Sequence, residues 1–187
     1  MPETPPLPSL DALNAMPADA FIAATAPLVE GAPGFLSLLA AARPFTSDAA
    51  MVDAMHEVAS AMPEDDQIEL VQAHPRIGAA EAEMSVLSTA EQGSEEEVEA
   101  EIAADEAKRV SEELAMLNDL YEERFGFRYV VFVAGRPKAA IIPLIEHALR
   151  NDREAELRRA VHDAIYIAGD RLARLRGTRN GDEEAVE

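Results

Sequence analysis

The chain has 187 residues, a formal net charge of -20, 48% hydrophobic and 28% charged residues, and only 5% aromatic residues. That length holds one well-buried core, and the apolar fraction is that of a globular protein rather than a disordered one. So acidic a chain repels nucleic acid unless its 16 basic residues gather in one patch, and the absence of cysteine excludes disulfides, thiolate nucleophiles and cysteine-held metals.

Alanine, leucine and glutamate abound, which predicts mostly helix, and with the elements taken in order below the expectation is an all-α fold: a single-domain helical bundle of about 7–9 helices with one short extended segment. The expected domain covers residues 1–176, and an acidic disordered tail follows at 177–187. No apolar run approaches the roughly 18 residues of a membrane span. The start, Met1-Pro2-Glu3-Thr4-Pro5-Pro6, lacks the basic and apolar parts of a secretory signal, so a cytoplasmic protein with no membrane partner is expected.

After the proline-rich lead, Ser9 or Asp11 caps a short helix through Leu13, and Pro17 opens the next, from Ala18 to about Glu30. Gly31, Pro33 and Gly34 break the chain before a helix that begins with Phe35 and Leu36 and ends at Pro44. Ser47 or Asp48 caps a helix with a Met51, Met55, Val58 and Met62 stripe, read as core packing, and His56 beside it is read as surface. Glu64-Asp65-Asp66 start a helix that must finish near Ala73, because Pro75 disfavours helical backbone at His74.

Residues 76–87 read as a loop, and Ser88 begins a long charged helix or helix pair that reaches Glu123 and stops at Gly126. Residues 128–133, Arg-Tyr-Val-Val-Phe-Val, have strand composition but no second strand to pair with. Either their backbone groups bond to loops, another chain or a ligand, or these residues are not a strand. Helices from Lys138 to Arg150 and from Asp152 to Arg176 complete the chain, with His147 and His162 among charged neighbours.

Of the four histidines, only His74 is fixed at a loop by a following proline. Ser88-x-x-Glu91 fits a capping box as well as a polar site, and Gln92 beside it offers an amide that both donates and accepts. Ala164, Ala168, Arg171 and Leu175 share a helix face, so the Arg171 guanidinium either snorkels outward or is buried and needs a carboxylate from the protein or a ligand. No H-x-x-x-H, P-loop, dinucleotide-binding or G-x-S-x-G pattern is present, which leaves plain acid-base chemistry.

His74-Pro75, Ser88-x-x-Glu91-Gln92, Leu117-Asn118-x-x-Tyr121-x-x-Arg124-Phe125-Gly126-Phe127, Asn151-Asp152-x-x-x-Glu156 and Ile167-x-x-x-Arg171-Leu172 occur in that order. Together they resemble the 2-oxo-4-hydroxy-4-carboxy-5-ureidoimidazoline (OHCU) decarboxylases of ureide metabolism, from about Leu10 to Leu175. The resemblance implies an all-helical homodimeric carboxy-lyase that needs neither metal nor organic cofactor and makes (S)-allantoin in urate degradation. It implies His74 as the catalytic acid-base residue, with Glu91 beside it. It also implies substrate contacts from Pro75, Ser88, Gln92 and Arg171, and from the backbone of Tyr129, Val130, Val131, Phe132 and Val133. Two readings compete with it: the same site acting on another ureide, and an acidic helical interaction module with a structural histidine.

Overall fold

A computed structural model describes residues 6–78 and 104–177. Among these residues there are eight α-helices and no strand. They are α1 (Leu10–Ala15), α2 (Ala18–Thr25), α3 (Pro33–Ala41), α4 (Asp48–Ala61), α5 (Glu64–Ala73), α6 (Ala104–Phe125), α7 (Ile142–Ala148) and α8 (Arg153–Arg176). Short 3-10 turns lie at Ala26–Val29 and Lys138–Ala140. The chain divides into two compact units, with boundaries inside α5 after Leu70 and inside α8 after Ala164. No described helix is long and apolar enough to cross a membrane.

The helix starts follow from the caps. Ser9 Oγ accepts from Ala12 N–H at 3.3 Å, and Ser47 Oγ accepts from Ala50 N–H at 3.0 Å. Two expected helices are shorter than their patterns. Pro27 lacks the N–H that would continue α2, so the chain tightens into the 3-10 turn and leaves it through Glu30 at φ 53. Pro143 similarly fits only the start of α7, and the residues before it form the second 3-10 turn.

In the first unit, Met51, Met55 and Ala59 are the fully buried positions of α4, so the observed stripe turns onto Ala59 rather than Val58. Arg43 donates to the carbonyls of Leu13, Met16 and Ala40 and lies 4.6 Å over the Phe21 ring. Arg171, on α8, is 0% exposed. Its Nη2 is 2.8 Å from Glu30 Oε1 and its Nη1 donates to Pro27 O at 3.1 Å, so a protein carboxylate supplies its counter-charge.

The second unit is built on an aromatic cluster. The Tyr121 ring on α6 meets Phe125, Phe127 and Tyr129 at centroid distances of 4.6, 5.8 and 5.1 Å. Above it lies a buried polar network. Glu156, 0% exposed, accepts from Tyr121 Oη at 2.7 Å, from Asn151 Nδ2 at 2.9 Å and from Arg159 Nε at 2.7 Å. Arg159 also donates to Asp163 at 2.6 Å and to Val130 O at 2.9 Å, and its guanidinium lies 4.9 Å over the Tyr129 ring. Burial pushes the Tyr129 hydroxyl up to about 12 and raises Asp163 above the usual carboxylate range despite the neighbouring Arg159.

Candidate functional site

The second unit contains His74, and contacts from both sides fix its loop. α5 ends at Ala73 because Pro75 follows, and His74 N–H reaches back to Val71 O at 3.3 Å. Arg76 then forks onto α6: its Nε and Nη2 meet the two carboxylate oxygens of Glu122 at 2.8 and 2.7 Å, and its Nη1 meets Asp119 at 2.9 Å. These carboxylates hold the Arg76 guanidinium even further above neutral pH than usual, chiefly through the Glu122 hydrogen bonds. Asn118 Nδ2 donates to Ile77 O at 3.2 Å and to Leu114 O at 2.8 Å. Gly78 ends the turn at φ +81, with Leu114 Cδ1 3.6 Å from where a Cβ would stand.

The histidine itself is 3% exposed and its Nε2 is shielded from solvent. On the other side of the loop, Arg128 Nη1 donates to the carbonyls of both Gln72 and His74, each at 2.9 Å. Gln72 Nε2 in turn donates to Gly126 O at 3.4 Å. The end of α5 is thereby stapled to the beginning of the segment that follows α6. Gly126 allows that segment to leave α6 at once by taking φ +81.

Residues 128–133 pair with no strand among the described residues and form neither helix nor turn, so the strand composition is realised as an isolated run, buried at Tyr129, Val130, Val131 and Val133. Its two edges differ. Along the Val130 and Phe132 edge the carbonyls are taken by arginines, Val130 O by Arg159 and Phe132 O by Arg136. On the opposite edge, the N–H and C=O of both Tyr129 and Val131 bond to no group among the described residues, although these residues are only 2% and 8% exposed. That edge ends at Val133, whose carbonyl accepts from Arg136 N–H at 3.0 Å and from Arg136 Nε at 2.9 Å. Buried backbone groups are nearly always paired, so donors and acceptors at alternate residues with no partner among the described residues are able to receive a group with amide-like edges.

The structure therefore brings His74, Pro75 and the 129–133 segment into one unit. Ser88, Glu91 and Gln92 lie outside the described residues, as does the acidic tail after Gly177. His56 packs its ring against Tyr166 at 5.7 Å on the first unit. Residue-by-residue reading passed over Arg76, Asn118, Arg128 and Arg159, which hold the loop and the segment. One signal was available: Glu156, Arg159 and Asp163 stand at i, i+3 and i+7, the spacing of neighbours on one helix face.

The Arg76–Glu122 tie is only partly buried, with side chains 39% and 28% exposed. A double-mutant cycle of Arg76→Met and Glu122→Gln, followed by urea unfolding, is expected to give a coupling of about 0.5–1 kcal/mol. No coupling would mean that the loop is held by Asn118 and Arg128 alone.

A sequence profile described as OHCU decarboxylase matches residues 14–173. The 2-oxo-4-hydroxy-4-carboxy-5-ureidoimidazoline decarboxylase of Haloferax volcanii is 31% identical over 166 residues, 88% of this chain and 94% of that protein. The uric acid degradation bifunctional protein of Bacillus subtilis is 30% identical over 88% of this chain, which corresponds to 32% of the longer protein. Among solved structures, an OHCU decarboxylase determined in the presence of (S)-allantoin aligns with a TM-score of 0.62 at 22% identity, over 80% of this chain and 94% of that one. An (S)-allantoin synthase aligns with a TM-score of 0.63 at 17% identity, over 90% of this chain and 54% of that one. At these identities the structural likeness speaks for the all-α fold.

Proposed function

Because the chain belongs to the OHCU decarboxylase family, we propose that His74 is the acid-base group of its reaction and that the Tyr129–Val131 edge holds the ureide. The protein is a carboxy-lyase that decarboxylates OHCU to allantoin in urate degradation. The observation that carries the finer reading is the buried edge whose N–H and C=O groups have no partner among the described residues, tied through Arg128 to a buried histidine.

The substrate's chemistry explains why such a site suffices. Its carboxylate sits on a ring carbon that also bears a hydroxyl, beside an imine carbon carrying the ureido group. When the bond to carbon dioxide breaks, its electron pair forms a carbon–carbon double bond and the imine nitrogen takes up a proton. The resulting enol then loses its hydroxyl proton to become a carbonyl, and the ureido-bearing carbon gains one. The ring thus serves as its own electron sink, and the protein's work is to orient the carboxylate and to move protons on one face. His74 is placed in the role of the group that exchanges those protons, on a loop whose backbone is held by three ties.

A ureide alternates N–H and C=O along its edges, which complements the alternation on an extended backbone at Tyr129 and Val131. Pro75 sets the approach of the loop, and on the resemblance the backbone of Val130, Phe132 and Val133 belongs to the substrate-facing segment, with their carbonyls held by Arg159 and Arg136. Glu91 is assigned beside His74 at the substrate hydroxyl, with Ser88 and Gln92 as further polar contacts; these three assignments rest on the resemblance. For Arg171 the resemblance supports a substrate contact, and its pairing with Glu30 supports a structural role. A homodimer working in the cytoplasm completes the reading.

Single-face protonation has a direct readout. Freshly generated OHCU is expected to give optically active (S)-allantoin with the protein, and racemic allantoin at the slower uncatalysed rate without it, as followed by circular dichroism. Fast but racemic product would overturn the assignment of a positioned proton donor.

A further inference from the structure

The two parts of the proposed site, the histidine and the open backbone edge, come from stretches of chain separated by the whole of α6, so something must set the distance between them. α5 ends in carbonyls that have no partner within the helix. One guanidinium nitrogen, Arg128 Nη1, collects two of the terminal carbonyls, those of Gln72 and His74, at 2.9 Å each. Arg128 is also the residue immediately before Tyr129, at which the open edge begins. The carbonyl it holds belongs to His74 itself. Its only intervening covalent path to the edge is therefore a single peptide link.

We propose that Arg128 is a positioning residue for the decarboxylation: it fixes the His74 backbone in register with the Tyr129–Val131 edge, so that a ureide seated on that edge meets the imidazole in a productive geometry. This inference rests on the roles given above to His74 and the edge. The neighbouring tie, Gln72 Nε2 to Gly126 O at 3.4 Å, is longer and reaches the chain two residues earlier, so it cannot replace this register. Arg76 and Asn118 anchor the far side of the loop to α6, whereas Arg128 reaches from the His74 carbonyl to the start of the edge itself.

The two contacts come from a single nitrogen, and this makes the proposal specific. A lysine ammonium can donate to both carbonyls from one atom, whereas methionine can donate to neither. R128M is expected to lower kcat by about 10- to 100-fold with KM within about threefold of wild type, the size of loss that a misplacement near 1 Å produces. R128K is expected to return kcat to within about fivefold of wild type. Steady-state kinetics on freshly generated OHCU, with thermal melts of each protein, measure this. If R128M does not fold, R128L takes its place with the same loss expected, since leucine likewise donates to neither carbonyl.

An unchanged kcat in R128M overturns the proposal. So does a raised KM at constant kcat, which would make Arg128 a substrate contact, or an R128K loss equal to that of R128M, which would mean that the guanidinium itself is needed. Absence of OHCU turnover by the wild type would instead strike the underlying reading, so the two failures are distinct.

Discussion

Replacing His74 with asparagine is expected to lower kcat for OHCU decarboxylation by about 10²–10⁴-fold, the range that a positioned acid-base group contributes. Asparagine is close in size and polarity and can still hydrogen-bond, but it cannot exchange a proton at neutral pH. The 3% exposure of His74 leaves bulk water a poor substitute as proton source. The fold should survive, because the loop is fixed through backbone carbonyls and through Arg76. Stopped-flow circular dichroism compares the variant with the uncatalysed decay, and a thermal melt checks its folding. Turnover near the wild-type rate, with optically pure product, would remove His74 from the mechanism.

The largest expected effect on stability lies in the network beneath the extended segment. Arg159→Met leaves the Glu156 carboxylate fully buried with its cationic partner gone, a change that typically costs about 3–5 kcal/mol. It also strips Val130 O of its donor and the Tyr129 ring of its stacked guanidinium. Adding Glu156→Gln should recover a good part of the loss. A glutamine carries no charge to strand, and its carbonyl can still accept from Tyr121. Urea unfolding of wild type, both single variants and the double variant gives the coupling directly. If Arg159→Met costs under about 1 kcal/mol, the network is not what holds the segment.

Much of the helical scaffold was legible because caps and prolines act locally. Ser9 and Ser47 are seen capping the helices they were expected to cap, and Pro75 ends α5 at Ala73 as its clash with helical backbone requires. Pro27 and Pro143 show the limit of periodicity: apolar spacing runs through both, yet the missing N–H turns one expected helix into a helix and a 3-10 turn. His74 and the 129–133 run could be singled out on their own, one by its proline and the other by its orphan strand composition. What joins them could not. Arg128, Arg76 and Asn118 act across separations of 54, 46 and 41 residues, and nothing in local composition says which carbonyl a long cationic side chain will reach. The arginine on α8 teaches the same lesson from the other side: its helix face allowed burial to be weighed against snorkelling, but its partner, Glu30, enters the described structure only through the left-handed exit from a proline-tightened turn.

The open edge at Tyr129 and Val131 has one more consequence, for how this protein behaves at high concentration. An unpaired stretch of extended backbone is normally an invitation to a strand from another molecule, and thus to aggregation. Here the invitation is too brief to accept. The run has one edge engaged by Arg159 and Arg136, and the other closes at Val133 after two residues whose backbone groups have no partner among the described residues. Such a gap gives a foreign strand no ladder to climb, so the unpaired backbone does not by itself make the chain sticky to its own kind.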